Sequence, residues 1–236
     1  SLYKAEFRSG AWIPPFLLSD SINSIDTDAY SAEVKMNDND EIIILWNQFF
    51  NSNDNRNGMY KMEFRNGLWS KLPTVNDKFN PFPGEIYNYN LAVNNNGDAT
   101  IIWTQNNQID YLSRLYKSEY IQGKWTLPAS IYDSLSSPGA YFSTNPILKM
   151  NQSGDSIILW GQNEKISLME GKSGKWAFST ADEIFNNLET LGGVDLALSE
   201  TGDAIITWDT RHGDEDHYAS DFERKIYRSE RHHGNW

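Results

Sequence analysis

Residues 93–105 read VNNNGDATIIWTQ, an Asn/Gly turn followed by a β-branched apolar run that ends at Trp103. Asn and Gly tolerate the positive φ angles of a tight hairpin, and the run after them suits a strand buried on both faces. The phrase recurs as MNDNDEIIILWNQ at 36–48, MNQSGDSIILWGQ at 150–162 and LSETGDAIITWDT at 198–210. Its tryptophans, Trp46, Trp103, Trp160 and Trp208, are spaced 57, 57 and 48 residues apart. The other five form a second series, Trp12, Trp69, Trp125, Trp176 and Trp236, spaced 57, 56, 51 and 60. Each of these five has a Glu six residues before it (Glu6, Glu63, Glu119, Glu170, Glu230) and a Gly two before it (Gly10, Gly67, Gly123, Gly174, Gly234). A register kept five times is an internal repeat.

Each unit reads as four short strands. Strand A alternates (32–36, 91–93), strand B is the apolar run (42–46, 101–103), strand C alternates (60–65), and strand D starts at the Trp of G-x-W and runs toward a Pro. Asn94-Asn95-Asn96-Gly97 links A to B and Arg65-Asn66-Gly67 links C to D, both with hairpin chemistry. No long helical period is present; residues 183–191 have room for one short helix at most. Tandem four-stranded antiparallel units of this length predict an all-β fold, a β-propeller whose blades pack radially. The whole of 1–236 reads as one propeller domain, with a partial blade at 1–15 and blades near 30–75, 87–132, 144–180 and 193–236. There are five C–D elements and four A–B elements, so two readings stand: five blades with incomplete ends, or a segment of a larger ring. The chain opens in mid-unit without Met or a signal sequence, and the second reading is the one expected.

Gly97-Asp98…Trp103-x-Gln105 and Gly67-x-Trp69-Ser70…Pro73 resemble the G-[ND]-A-x-x-x-W-x-Q and G-x-W-S-x-P repeats of bacterial secreted and surface propellers. The resemblance covers essentially the whole chain. It implies the propeller architecture and an extracellular, periplasmic or cell-surface setting, and is nearly silent about activity. Asp98, Asp155 and Asp203, with Glu41 in the first copy, stand five residues before the Trp as in the Asp-box of sialidase-type propellers. The Ser and second Gly of that box are missing, and these acids are expected to accept backbone hydrogen bonds at the A–B turn.

Composition narrows the partners. The 20 basic and 32 acidic residues give a net charge of −12, which disfavours nucleic acid. No apolar run approaches a membrane span. With zero Cys there is neither a disulfide framework nor a thiolate site, and no cofactor is expected.

Meander topology puts the short A–B and C–D turns at one end of the blades and the long, dissimilar B–C and D–A connections at the other. Variable loops on a rigid scaffold are where function tends to sit. These loops carry Phe49, Phe50, Tyr87, Tyr89, Tyr111, Tyr141, Phe142 and Tyr218, the candidate ligand-binding residues for a glycan or a protein. Capping of the channel or filling between blades is the competing role. A second candidate is the seam between blades, where the five Glu could present carboxylates and Trp12, Trp69, Trp125 and Trp176 stacking faces. That arrangement is loosely similar to fucose-binding propellers, although no Arg recurs on strand B. The competing role there is a blade-to-blade ion pair with Lys4, Lys61 or Lys117, or a cap for the indole.

A glycoside hydrolase needs two carboxylates flanking the sugar, one with a raised pKa. The candidates outside the repeat are Asp110, Asp133, Asp195, Asp214 and Asp216, and nothing in the sequence pairs them. His212, Asp214, Asp216 and His217 have metal-ligand residue types, though such a stretch reads more simply as a solvated loop. Residues 53–58 echo an EF-hand start but carry Asn at the odd positions and Phe64 where its Glu belongs, which excludes it. The leading expectation is a non-enzymatic recognition module. A glycoside hydrolase of sialidase or arabinanase type and a structural propeller scaffold within a larger assembly are the alternatives.

Overall fold

The computed structural model describes residues 1–23, 27–49, 58–74, 76–137, 142, 145–163, 165–172, 174–178, 191–212 and 223–236. Among them there is no α-helix, only a single 3-10 turn at Leu18–Asp20. The helix expected near 183–191 falls almost entirely outside the described residues.

The fold is an all-β propeller, its sheets following one another along the chain. Blade 1 holds β1 (Glu6–Arg8) and β2 (Ala11–Ile13). Blade 2 runs β3 (Asp28–Met36), β4 (Ile42–Phe49), β5 (Gly58–Arg65) and β6 (Leu68–Trp69). Blade 3 runs β7 (Gly84–Val93), β8 (Ala99–Asn107), β9 (Ser113–Ile121) and β10 (Lys124–Thr126). Blade 4 runs β11 (Ile147–Met150), β12 (Ser156–Gln162), β13 (Lys165–Lys172) and β14 (Lys175–Phe178), and blade 5 has β15 (Leu191–Leu198), β16 (Ala204–His212) and β17 (Glu223–Arg231). Every pairing is antiparallel between sequence neighbours, the A-B-C-D meander expected from the repeat.

The turns explain the small residues that recur from unit to unit. Between C and D, the pairs Ser9/Gly10, Asn66/Gly67, Gln122/Gly123 and His233/Gly234 all have positive φ, the signature of a type I′ hairpin. Between A and B the acids do not hold the turn as expected. Asn94 does: its Oδ1 accepts from the N–H of Asn96 at 2.9 Å and of Asp98 at 3.0 Å. Asn37 and Asn151 repeat this on Glu41 and Asp155, both at 2.9 Å, and Ser199 on Asp203 at 3.0 Å. The acid's own side chain braces the upstream Asn instead, Glu41 accepting from Asn37 Nδ2 at 3.0 Å and Asp98 from Asn94 Nδ2 at 3.4 Å; Glu41 also pairs with Arg65, and Asp203 accepts the N–H of His233.

Strand B is buried in blades 2 to 4 and buried at alternate residues in the described part of blade 5. The indole N–H of Trp46, Trp103 and Trp160 donates to Gln48, Gln105 and Gln162 at 3.2, 3.1 and 3.1 Å, the physical content of the W-x-Q spacing. Three of the core clusters form between blades, and a fourth, around Trp46 and Tyr60, gathers on blade 2. Ile43 and Leu45 of blade 2 pack with Leu91, Ile101 and Trp103 of blade 3. Ile102 packs with Ile158 and Trp160, and Ile157 and Leu159 with Leu196 and Trp208. Much of the core therefore lies at the seams between successive blades.

Candidate functional site

At the end carrying the B–C and D–A connections, the seam of blades 2 and 3 opens into a pocket of about 310 Å3. Its walls include Tyr30, Asn47, Gln48, Phe49, Glu85 and Tyr87. Strand bulges shape it. The register of β3 on β4 slips between Tyr30 and Glu33, and that of β7 on β8 slips between Ile86 and Asn88, leaving Tyr87 unpaired. A bulge re-aims side chains out of the pleat, and here it presents two half-exposed tyrosines from adjacent blades at one opening. Gly84, at φ +145°, lines the pocket, and a Cβ there would strike the carbonyl of Asn106.

The polar groups are well defined. Tyr87 donates its hydroxyl to Glu85 at 2.9 Å, and this bond together with burial raises its pKa. Burial and the Glu85 charge raise that of Tyr30. Asn47 is buried, donates Nδ2 to the carbonyl of Ile86 at 3.3 Å and has no partner for Oδ1. An acceptor left open at a pocket wall is a place for a ligand donor. Behind the wall, the hydroxyl of Tyr89 is buried without a partner, and burial first and Glu33 second push its pKa up. Burial raises the pKa of Glu33 against the pull of Lys35 and of the Leu91 N–H. Glu33 also has a seam role: Asn90, its equivalent 57 residues on, accepts from the N–H of Leu148 of the next blade at 3.3 Å.

Of the loop aromatics singled out in the sequence, the structure brings together Phe49 and Tyr87, with Tyr89 behind them. Tyr111 stands apart, exposed at φ +59°. Phe142 packs against the core between blades 3 and 4 and bridges to Gln162. Phe50, Tyr141 and Tyr218 lie outside the described residues. Sequence reasoning missed Tyr30, Asn47, Gln48 and Glu85. The signal for Tyr30 was available: it precedes Tyr87 by 57 residues, one repeat.

The second candidate set is a chain of contacts across seams. The indoles of Trp69, Trp125, Trp176 and Trp236 donate to Glu6, Glu63, Glu119 and Glu170 of the preceding blade at 2.8, 2.8, 2.6 and 2.7 Å. Lys4, Lys61 and Lys117 pair with the Glu two residues on, and their ammonium groups sit 4.8, 5.2 and 4.8 Å from the rings of Trp69, Trp125 and Trp176. Burial opposes ionisation of Glu6, but Lys4, Arg8 and the Trp69 indole outweigh it and hold the pKa down to about 2. Lys61, Arg65 and Trp125 likewise outweigh burial and lower Glu63. Carboxylate and indole thus already occupy each other. Trp12 and Glu230 lie at the two ends of the series.

The non-repeated carboxylates are engaged as well. Asp110 holds Arg114 with two bonds, at 2.8 and 2.5 Å, which lower its pKa. Asp133 accepts from the N–H groups of Ala129 and Ser130, at 2.8 and 2.9 Å. It is a repeated element after all, since Asp20 and Asp77 cap the equivalent turns after Pro15 and Pro73. Asp195 accepts from its neighbour Leu196 at 2.8 Å. Asp214, Asp216 and His217 lie outside the described residues, as does the side chain of His212. No cluster of metal-ligating side chains occurs among the described residues. No described helix is long and apolar enough to cross a membrane.

No protein-family model matches the chain, and no curated protein does. Among solved structures it is similar to the polysaccharide lyase Uly1, with TM-score 0.54 and 11% identity, over 85% of this chain and 57% of that one. It is similar to the GH93 α-L-arabinofuranosidase of Fusarium graminearum in complex with arabinobiose, with TM-score 0.51 and 11% identity, over 88% and 64%. The endo-arabinase from Bacteroides thetaiotaomicron gives TM-score 0.46 and 13% identity, over 88% and 77%. At these identities the likeness speaks for the fold. The chain spans less than two thirds of the lyase and of the arabinofuranosidase.

Proposed function

We propose that the chain is the glycan-engaging part of a carbohydrate-active propeller, secreted or displayed at a cell surface. Among the readings open from the sequence, glycoside hydrolysis takes precedence over non-enzymatic recognition. The observation that carries glycan contact is the pocket between blades 2 and 3. Two half-exposed tyrosine faces, an unpaired buried amide oxygen and a carboxylate converge on about 310 Å3, the lower end of small-ligand size. Sugar C–H faces pack on aromatic rings, and sugar hydroxyls pair with amides and carboxylates.

Hydrolysis is favoured over binding alone by the likeness, at TM-score 0.51, to an enzyme that is a glycosidase by name, the α-L-arabinofuranosidase; the lyase, at 0.54, acts on a polysaccharide by a different cleavage. Glu85 on the pocket wall is the first carboxyl to test. The experiment combines calorimetric titration with arabino-oligosaccharides and acidic polysaccharides with an assay for new reducing ends. Turnover lost in Glu85→Gln supports hydrolysis at this pocket. Binding that Tyr87→Ala abolishes, without turnover, returns the protein to recognition. Folded protein that neither binds nor cleaves any glycan overturns the proposal.

A further inference from the structure

Two tyrosines outside the pocket are held open at the same end of the propeller. Tyr111, in the β8–β9 loop, is 80% exposed, and Tyr132, in the connection after β10, is 75% exposed. Tyr111 sits at φ +59°, a conformation suited to Gly or Asn and costly for a large side chain. The loop closes around it through two backbone bonds, from the N–H of Tyr111 to Asn107 at 2.8 Å and from the N–H of Asn107 to Leu112 at 3.1 Å. A strained residue kept in solvent adds nothing to packing, which points to a use outside the fold.

A buried support fixes both rings. Asp110, beside Tyr111, accepts two bonds from Arg114, whose side chain is 1% exposed. The same guanidinium lies 5.9 Å from the ring centre of Tyr132. The Tyr132 turn is fastened separately, by Asp133 to the N–H groups of Ala129 and Ser130 and by the hydroxyl of Tyr116, which donates to the carbonyl of Ile131 at 3.1 Å. This arrangement belongs to blade 3 alone among its equivalents in blades 1 and 2. The turns capped by Asp20 and Asp77 carry Ser19 and Asn76 where this one has Tyr132, and β5 has Gly58 in the register of Arg114.

The tyrosines continue the pocket wall. Ile86 of the wall, Gln105 and Arg114 stand side by side on β7, β8 and β9, and the N–H of Gln108 ties the Tyr111 loop to the carbonyl of Pro83, just ahead of β7, at 3.1 Å. At about 4.8 Å between strands, Arg114 lies about 10 Å from the wall, farther than one sugar ring reaches. We propose that the pocket is one end of a longer cleft for a neutral polysaccharide chain, and that Tyr111 and Tyr132 form its far subsite. The inference rests on the glycan reading above and narrows it. Open tyrosine faces take the C–H faces of sugar rings, and a tyrosine loses little conformational freedom in doing so. Carboxylates stand at both ends, Glu85 in the pocket and Asp110 beside Tyr111. Arg114 holds the Asp110 pKa low, so the acid stays ionised, and it answers the only charge that Arg114 could offer a ligand. A uronate chain would meet like charge at both ends, whereas sugar hydroxyls can pair there.

The test is calorimetric titration with the disaccharide and the hexasaccharide of arabinan, galactan and xylan, and with a galacturonan hexasaccharide as the acidic arm. The expected result is a neutral hexasaccharide that binds several-fold more tightly than its disaccharide. Tyr111→Asn and Tyr132→Ala should each remove that gain and leave disaccharide affinity unchanged. Tyr111→Asn should melt no lower than the parent, since Asn accepts the positive φ. Neutral glycans that bind without a gain from length, or a gain that survives both substitutions, overturn the inference and leave the pocket reading in place. Preference for galacturonan does the same. A lower Tm in Tyr111→Asn gives the ring a folding role and also overturns it. Folded protein that neither binds nor cleaves any of these glycans overturns both.

Discussion

The indole N–H of Trp125 donates to the carboxylate of Glu63, one blade back, at 2.8 Å. The two residues are 62 positions apart and join the outer strand of blade 3 to strand C of blade 2. Lys61 and Arg65 complete the carboxylate's shell, so this single acidic side chain fastens one seam.

Glu63→Ala strips the partner from Lys61, Arg65 and the indole at once. The expected loss is about 3 kcal/mol, the scale for unpairing a largely buried charge. Glu230→Ala, at the series position where no indole arrives, should stay within about 0.5 kcal/mol. Urea denaturation of both variants measures the contrast, and equal effects would contradict the seam role.

Acid should loosen the seams. The pKa of Glu6 falls from 4.5 in the ordinary state to about 2 in the fold, and Glu63 is lowered in the same direction. A carboxylate depressed by folding stabilises above its unfolded pKa, and that contribution is lost as pH falls through the folded one. Stability should therefore decline between about pH 5 and pH 2, with a shallower decline in Glu6→Gln. Thermal melts across that range decide it.

Gly67, at φ +78°, occupies the second position of a type I′ turn. A Cβ meets open space there, so Gly67→Ala tests backbone conformation alone. The expected cost is about 1 kcal/mol. A neutral result would mean that the turn relaxes to another type, visible as a changed coupling pattern at Asn66 in NMR spectra.

Tyr87→Ala should abolish glycan binding while changing stability by less than about 1 kcal/mol, since the side chain is half exposed on a bulge. Trp103→Ala, in the buried seam, should cost about 3–5 kcal/mol. Paired titrations and denaturation curves separate the two kinds of aromatic residue.

The meander, the turn positions and the tryptophan registers were legible because each depends on residues close in sequence. An Asn-Gly pair sets its own φ angles, an alternating run sets its own faces, and repetition multiplies the signal. W-x-Q and the Glu–Trp spacing likewise follow from one blade's geometry copied along the chain. Which aromatics meet was not legible. Tyr30 and Tyr87 converge only because two bulges turn strand A outward on adjacent blades, while Phe142, from the same class of loop, is drawn into the core. Whether each Glu and Trp form a sugar site or an indole cap was likewise open in the sequence, since each partner arrives from 57 to 66 residues away. Sequence by itself determined what each blade is; the packing of blade on blade decided which surfaces remain free, because in this fold much of the core, and the pocket, lie at seams that no single repeat contains.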